Sequence, residues 1–481
     1  ASAADKALAE LQPYLAALGQ HGGVYRLLDS QFVHTIVQRI AQRLDHHPGD
    51  MLATAPAVIA KTIDAQAKNF FKHLAKQLVP KKDHSYVLSS ALISHLTFPG
   101  DGRVYSAPGL PNDNGQVPAF MTFVGQFIDH DLTLNPFDLF QAQSGEQVRT
   151  EASPFIDLDS MYNRSSALAH GGLSDVFSDD GTFKLHPLPG PNAYDLVRDK
   201  TKGMYFEKPY IFDLRNDENQ LILQIHILLM RVHNKLVEQL TAAEKAGKTR
   251  DEIIALVRSE VVFNWQQFIL DDYLPTVVSH RALKWVMTEI HKPTEPDYHH
   301  PTGDPTYSQL RHQPETDNKI DSHVTNVVFD LPQSAIPDKV KQVGNLPQRN
   351  LIRSSQVHLA AAEDLLVLYD IVDQQLTRDQ VEPDPEKQKL FQLDKEGEYD
   401  VDNDFRTPLW YYVIKEAELL TNGRQLGPLG GRIIAEVIAG GIYYQPSAAL
   451  SVVHADNHGW QSRITGSQLV RFEDLVDFVT A

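Results

Sequence analysis

Apolar positions recur at helical spacing from the start of the chain. They fall at Leu8, Leu11, Leu15 and Leu18, then at Phe32, Ile36, Ile40 and Leu44, then between Ile59 and Leu78. Residues 1–90 are therefore read as a helical N-terminal extension, and residues 91–481 as a second, larger unit. Lys68, Lys72 and Lys76 lie four apart on one face, with Phe70, Leu74 and Leu78 elsewhere on the helix. A basic amphipathic face over residues 60–82 has two readings, the solvated side of a packed helix or contact with a membrane surface. From residue 91 the pattern changes. Residues 99–116 are rich in Gly, Pro, Asn and Asp and predict a long loop. Val117 to Leu132, Asn219 to Leu240 and Asp251 to Tyr273 carry enough apolar positions to predict helices, as do Leu409 to Leu420 and Leu429 to Ile442. Between them, residues 136–210 read as loops with short elements, 291–318 as an irregular surface segment, and 377–404 as a loop or lid. Strand alternation is scarce and no internal repeat is seen. The class predicted is mainly α, with long ordered loops that suggest bound ligands or function.

Composition narrows the partners. The chain has 481 residues, 44 basic and 62 acidic, for a net charge of −18. That balance argues against nucleic acid, whose phosphates are bound by clustered Lys and Arg. The absence of cysteine excludes disulfides, thiolate metal sites and a cysteine nucleophile. No stretch reaches the roughly 18 consecutive apolar residues of a membrane span. Ala1-Ser2-Ala3-Ala4-Asp5 shows neither the basic nor the apolar run of a signal peptide. The compartment, secreted or cytoplasmic, and the oligomeric state stay open.

Four clusters carry candidate chemistry. In Val124-Gly125-Gln126-Phe127-Ile128-Asp129-His130-Asp131, helical spacing puts Gln126, Asp129 and His130 on one face. Polar groups among Phe120, Met121, Val124, Phe127 and Ile128 need partners inside the protein, from a structural network or from a cofactor pocket. A His between two Asp suits acid–base work or a metal. The second cluster is Ser153-Pro154-Phe155-Ile156-Asp157-Leu158-Asp159, where alternating oxygen side chains fit Ca²⁺ or a turn, without EF-hand spacing. Arg215-Asn216-Asp217-Glu218 opens a long apolar helix and reads equally as a cap with an ion pair. Arg349-Asn350-Leu351-Ile352-Arg353 is the fourth.

Taken in order, these clusters resemble the animal-type haem peroxidases, the peroxidase–cyclooxygenase superfamily. Gly125 to Asp131 resembles the family's distal-histidine motif, and Ser153 to Tyr162 its calcium loop. Arg215 to Glu218, with His226 and Arg231-Val232-His233-Asn234, resembles the catalytic-arginine helix. Leu346 to Arg353 resembles the proximal-side asparagine helix, and Thr407 to Glu418 a late helix of the bacterial members. The resemblance covers roughly residues 90–475, and the cysteine-free chain favours the bacterial branch.

The resemblance implies a haem-peroxidase-like helical bundle holding haem b and Ca²⁺. It implies that hydrogen peroxide is reduced through a ferryl intermediate, at the expense of a small substrate such as a halide, thiocyanate or a phenol. In that reading His130 is the distal acid–base, Arg215 a fixed charge at the breaking O–O bond, and Gln126 a hydrogen-bond donor to distal water or halide. Asp129 and Glu218 match the carboxylates that form one or two ester links to the haem. Asp131, Ser153, Asp157, Asp159 and the Phe155 carbonyl would hold calcium, locking the catalytic helix. Asn350 would orient the proximal imidazole and Arg353 would reach a propionate. One motif does not match. The family's proximal histidine helix, Ala-X-Arg-X-Gly-His-Ser, has no counterpart here. The interval before Asn350 is short and holds His280, His291, His299, His300, His312 and His323, of which His312 falls nearest the expected place. Two further readings therefore stand beside the peroxidase: a fatty-acid dioxygenase of the cyclooxygenase-like branch, for which Tyr307 would be the candidate radical, and a haem-less calcium-binding scaffold.

Overall fold

A computed structural model of the chain describes residues 88–98, 103–104, 117–134, 152–200, 208–290, 317–324, 326–329, 344–357, 359–392, 399, 404–445, 447–456 and 458–481. The helices expected before residue 88, including the basic face of residues 60–82, lie outside the described residues, as does His312.

Local sequence signals set where the helices begin. Helix α1, Ser90–Thr97, starts where the Ser89 side chain accepts from Leu92 N–H. The strand β1, Val117–Pro118, leads directly into α2, Ala119–Leu132, and Pro118 suits that entry because it has no N–H to satisfy. A short helix α3, Asp159–Tyr162, follows the acidic loop. Strands β2, Leu185–Pro187, and β3, Tyr194–Leu196, form an antiparallel ribbon. Helix α4, Gln220–Gln239, is capped by Asn219, whose side chain accepts from Leu221 and Ile222 N–H. Helix α5, Arg250–Phe268, opens on a Thr249/Glu252 capping box and runs on as a π turn, Ile269–Tyr273. Helix α6 is His280–Ile290. Strand β4, Asp317–Asn318, pairs antiparallel with β1 and so lies at the entrance to α2. Helices α7, Leu346–Gln356, α8, Ala362–Leu368, α9, Leu409–Thr421, α10, Pro428–Tyr443, and α11, Phe472–Thr480, complete the set used below.

The mainly α expectation holds: among the described residues the strands form only two short ribbons. The expected helices appear within a residue or two of the predicted bounds, except that Val117 and Pro118 form β1 and the Asp251–Tyr273 helix ends in the π turn. The segment 377–404 departs from the loop expectation. Its described part holds three helical turns, Arg378–Val381, Pro385–Gln388 and Lys389–Gln392, nucleated by side-chain caps at Thr377 and Asp384. A fully buried Glu382 ties them to the α1 region through Arg103 and, at 2.6 Å, His95.

Apolar side chains gather into two clusters. The larger is built from α2, α4 and α5, with Val124, Phe127, Ile222, Leu229, Val261, Trp265 and Phe268 fully enclosed. The second joins α1, α7, α8 and α9 through Leu96, Leu351, Leu365 and Tyr412. Each such side chain contributes roughly 1.5–3 kcal/mol of burial. Helix α10 belongs to both, giving Ile438, Ala439 and Ile442 to the first and Leu429 and Ile433 to the second. Among the described residues no helix is long and apolar enough to cross a membrane.

Candidate active site

Helix α2 carries the first cluster against the larger core. Phe127 packs edge-on to Trp265, with ring centroids 5.5 Å apart. Gly125 allows the close approach of the Tyr273 side chain from the π turn: a Cβ there would sit 2.6 Å from its hydroxyl. The same helical rotation that buries Phe127 and Ile128 also buries His130 and Asp131, while Asp129 is turned outward and Gln126 lies between.

A 3₁₀ turn, Leu214–Asp217, brings the third cluster to His130. Arg198 holds this turn from outside, donating through both terminal nitrogens to Asp217 at 2.8 Å and through its Nε and a terminal nitrogen to Asp195. Asn216 is fully buried. Its Oδ1 stands 2.9 Å from His130 Nδ1, and its Nδ2 stands 3.0 Å from His226 Nδ1 and 3.3 Å from Ser160 Oγ. His226 is buried too, and burial lowers its pKa to about 4. His130 is likewise held below its ordinary pKa, first by burial and then by the positive charge of Arg215. The remaining ring nitrogen of His130, Nε2, faces Glu218 Oε1 at 3.6 Å, beyond hydrogen-bond length.

The guanidinium of Arg215 is engaged within the protein. It grips the buried Asp213 carboxylate with Nε at 3.0 Å and a terminal nitrogen at 2.6 Å, and donates to the His130 carbonyl at 2.8 Å. Arg215 thus clamps the end of α2 to the turn, while its charge still acts on His130 and Glu218. Glu218 sits at the partly open rim, where it accepts from Gln126 Nε2. Asn219 Nδ2 in turn donates to Gln126 Oε1 at 3.3 Å. Desolvation raises the Glu218 pKa to about 7, assisted by the negative charges of Asp213 and Asp129. Gln126, His130, Arg215 and Glu218 are therefore brought together in one cluster, with the Asp129 charge acting on it.

The acidic loop folds onto Asp131. Both carboxylate oxygens of this fully buried side chain accept peptide N–H groups: Oδ2 from Asp157 at 3.1 Å and Leu158 at 2.9 Å, Oδ1 from Ser160 at 3.1 Å. Leu158 adopts a left-handed conformation, φ 56°, that aims its N–H at Asp131. Ser153 Oγ accepts from Phe155 N–H at 3.1 Å, and Asp159 Oδ2 from Asn163 Nδ2 at 3.1 Å. Asp157 is buried, and its Oδ1 has no hydrogen-bond partner, the nearest cation being Arg258 at 4.0 Å. Burial and then Asp159 raise the Asp157 pKa to about 7, and burial, Asp157 and Asp159 raise that of Asp131 well above the usual carboxylate range. Buried hard oxygens with too little positive charge fit a calcium ion in their chemistry. Their positions do not close a cage: among the described residues no three His, Asp or Glu side chains stand in a metal-binding group.

Asn350 and Arg353 lie half-buried on α7, which packs into the second core cluster through Leu351. Of the proximal candidates, His323 is half-buried and stands 3.4 Å from Asp321, and His280 opens α6 from an exposed position. His291, His299, His300 and His312 lie outside the described residues. Sequence reasoning missed Asn216 and Asp213. The signals were a capping aspartate two residues before Arg215 and a polar side chain inside the Arg215 motif.

A family model described as animal haem peroxidase matches residues 140–379. Over 138 residues the chain is 26% identical to Heme peroxidase 2 of Caenorhabditis elegans, a match covering 27% of this chain. The match spans 18% of that curated relative's length. Peroxidase A from Dictyostelium discoideum has a similar structure, with a TM-score of 0.52 at 15% identity, covering 82% of this chain and 89% of that one. At that identity the likeness speaks to the fold.

Proposed function

The chain belongs to the animal haem peroxidase family, and from that premise we propose that it is a haem-dependent peroxidase, reducing hydrogen peroxide and oxidising a small substrate. The observation that carries the reading is His130: buried, low in pKa, held at Nδ1 by Asn216, and with Nε2 facing the partly exposed Glu218 without a hydrogen bond. An imidazole so placed takes a proton from a bound hydroperoxide at Nε2 and returns it to the departing oxygen. Haem, when bound, supplies the redox chemistry, and Asp129 and Glu218 are the carboxylates that would meet its edge. Glu218 is partly exposed and Asp129 outward-facing, which suits ester links to the ring. Gln126 orients distal water or a halide. Arg215 contributes positive charge beside His130 and Glu218 while Asp213 holds its guanidinium. Asn350, Arg353 and His312 are assigned to the proximal side. Residues 91–481 make up the catalytic unit behind the 1–90 extension, and the cysteine-free chain supports a place in the bacterial branch.

Calcium is proposed at the loop that folds on Asp131, with Ser153, the Phe155 carbonyl, Asp157 and Asp159 as the other oxygens. The unpartnered Asp157 Oδ1 supports this reading. The test is peroxide-dependent oxidation of iodide, thiocyanate and a phenolic dye by haem-loaded protein. His130→Ala is expected to lower the rate by about 10²–10⁴-fold, the usual worth of a general base. Equal rates in the two proteins would overturn the assignment.

A further inference from the structure

Resting on the role proposed for His130, we propose that Asn216 is a positioning residue that fixes His130 as the tautomer with its proton on Nδ1 and its lone pair on Nε2. A histidine beside a buried amide takes whichever tautomer the amide allows, so the orientation of the amide decides the chemistry. Three contacts define that orientation. Asn216 Oδ1 lies 2.9 Å from His130 Nδ1, and an amide oxygen only accepts, so Nδ1 must donate. On its other side the amide nitrogen lies 3.0 Å from His226 Nδ1 and 3.3 Å from Ser160 Oγ, and an amide nitrogen only donates, so both must accept. His226 thereby carries its own proton on Nε2. All four side chains are buried, so no solvent competes for these bonds.

The turned-over amide would invert every assignment. It would present Nδ2 to His130, put the His130 proton on Nε2, and leave no lone pair there to accept from peroxide. Arg198, clamped on the neighbouring Asp217, and the backbone hydrogen bond that Asn216 N–H donates to the Asp213 carbonyl at 3.1 Å keep the turn in place. The site therefore makes a base of His130 before any ligand arrives, and Asn216 does so without touching the reactants.

The test reads tautomers directly and needs no haem, so its outcome is separate from that of the peroxidase reading. Protein labelled with ¹⁵N-histidine gives ring signals in which N–H and lone-pair nitrogens are well separated, and the His130 and His226 signals are identified by their loss in His130→Ala and His226→Ala. The expected pattern is N–H at Nδ1 of His130 and at Nε2 of His226. In Asn216→Asp the acceptor for His130 remains but the donor to His226 is gone. His130 should keep its tautomer while His226 moves its proton to Nδ1. Asn216→Leu should lose the His130 preference, and in haem-loaded protein it should slow the reaction with peroxide by about 10²–10⁴-fold, with the KM for the reducing substrate unchanged. The reverse pattern in the wild-type protein, His130 protonated at Nε2, would overturn the proposal even if Asn216→Leu failed to fold. An unchanged His130 tautomer in a folded Asn216→Leu protein would overturn it as well.

Discussion

Asp131 offers the sharpest perturbation of the site's framework, because one buried carboxylate closes three peptide N–H groups of the 153–160 loop. Asp131→Ala strands those donors away from water. Each stranded donor costs about 1–3 kcal/mol. Some of that is offset, because the carboxylate is itself costly to bury, as its raised pKa indicates. The net loss is placed at about 3–5 kcal/mol. Asp131→Asn keeps an oxygen for the Asp157 and Leu158 N–H groups and turns an NH₂ on Ser160, so its loss should be smaller, about 1–2 kcal/mol. Urea denaturation followed by tryptophan fluorescence measures both, with calcium and with a chelator in excess. If calcium binds here, saturating calcium at about 100 times its Kd adds about 2.7 kcal/mol to the wild type. It should add far less to either variant. A stability for Asp131→Ala within about 1 kcal/mol of the wild type, in chelator, would refute the anchoring argument itself. Equal calcium stabilisation of all three proteins would move the ion elsewhere.

Other consequences follow from single side chains. Glu416 is fully buried and caps α10, accepting from Leu429 and Gly430 N–H, and burial raises its pKa to about 7. A raised carboxyl pKa gives stability that is complete below about pH 4.5 and lost as pH rises through 7. The difference in unfolding free energy between the wild type and Glu416→Gln should therefore change by up to about 3 kcal/mol between pH 4.5 and 8, and a flat difference would contradict the shift. Gly125→Ala should cost about 1–3 kcal/mol because its Cβ meets the Tyr273 hydroxyl, and adding Tyr273→Phe should recover most of that in thermal melts; a purely additive double variant would disprove the contact. Asp213→Asn removes a negative charge that raises the His130 pKa, so the acid limb of the peroxide-reaction rate should move to lower pH, and a move to higher pH would contradict the electrostatics.

Much of the fold is written in local pattern. The helix bounds at Asn219, Thr249 and Pro428 follow from caps and prolines that act within one turn, and α2 and α4 announce themselves by apolar periodicity. The 377–392 segment was harder to read, since its turns are too short for periodicity and are fixed by the long-range pairing of Glu382 with Arg103 and His95. The candidate site divides in the same way. Gln126 and His130 stand one turn apart on α2, a spacing the sequence alone reveals, although the structure turns Asp129 outward. The links from Arg215 to the His130 carbonyl and from Asn216 to the His130 ring join residues 85 and 86 apart, which no single-sequence spacing reports. Asp131 was legible as an oxygen ligand near the acidic loop, but its bonds to three peptide N–H groups depend on the left-handed turn at Leu158.

The account turns on whether this chain binds haem against His130. Titration of the purified protein with hemin, followed by its absorption spectrum before and after hydrogen peroxide, tests that most directly. The account predicts a Soret band that saturates at stoichiometric haem, shifts on adding peroxide, and after peroxide treatment resists acid–acetone extraction through Asp129 or Glu218. A visible spectrum no different from free hemin, unmoved by His130→Ala, would contradict it and leave the chain a peroxidase scaffold without peroxidase chemistry.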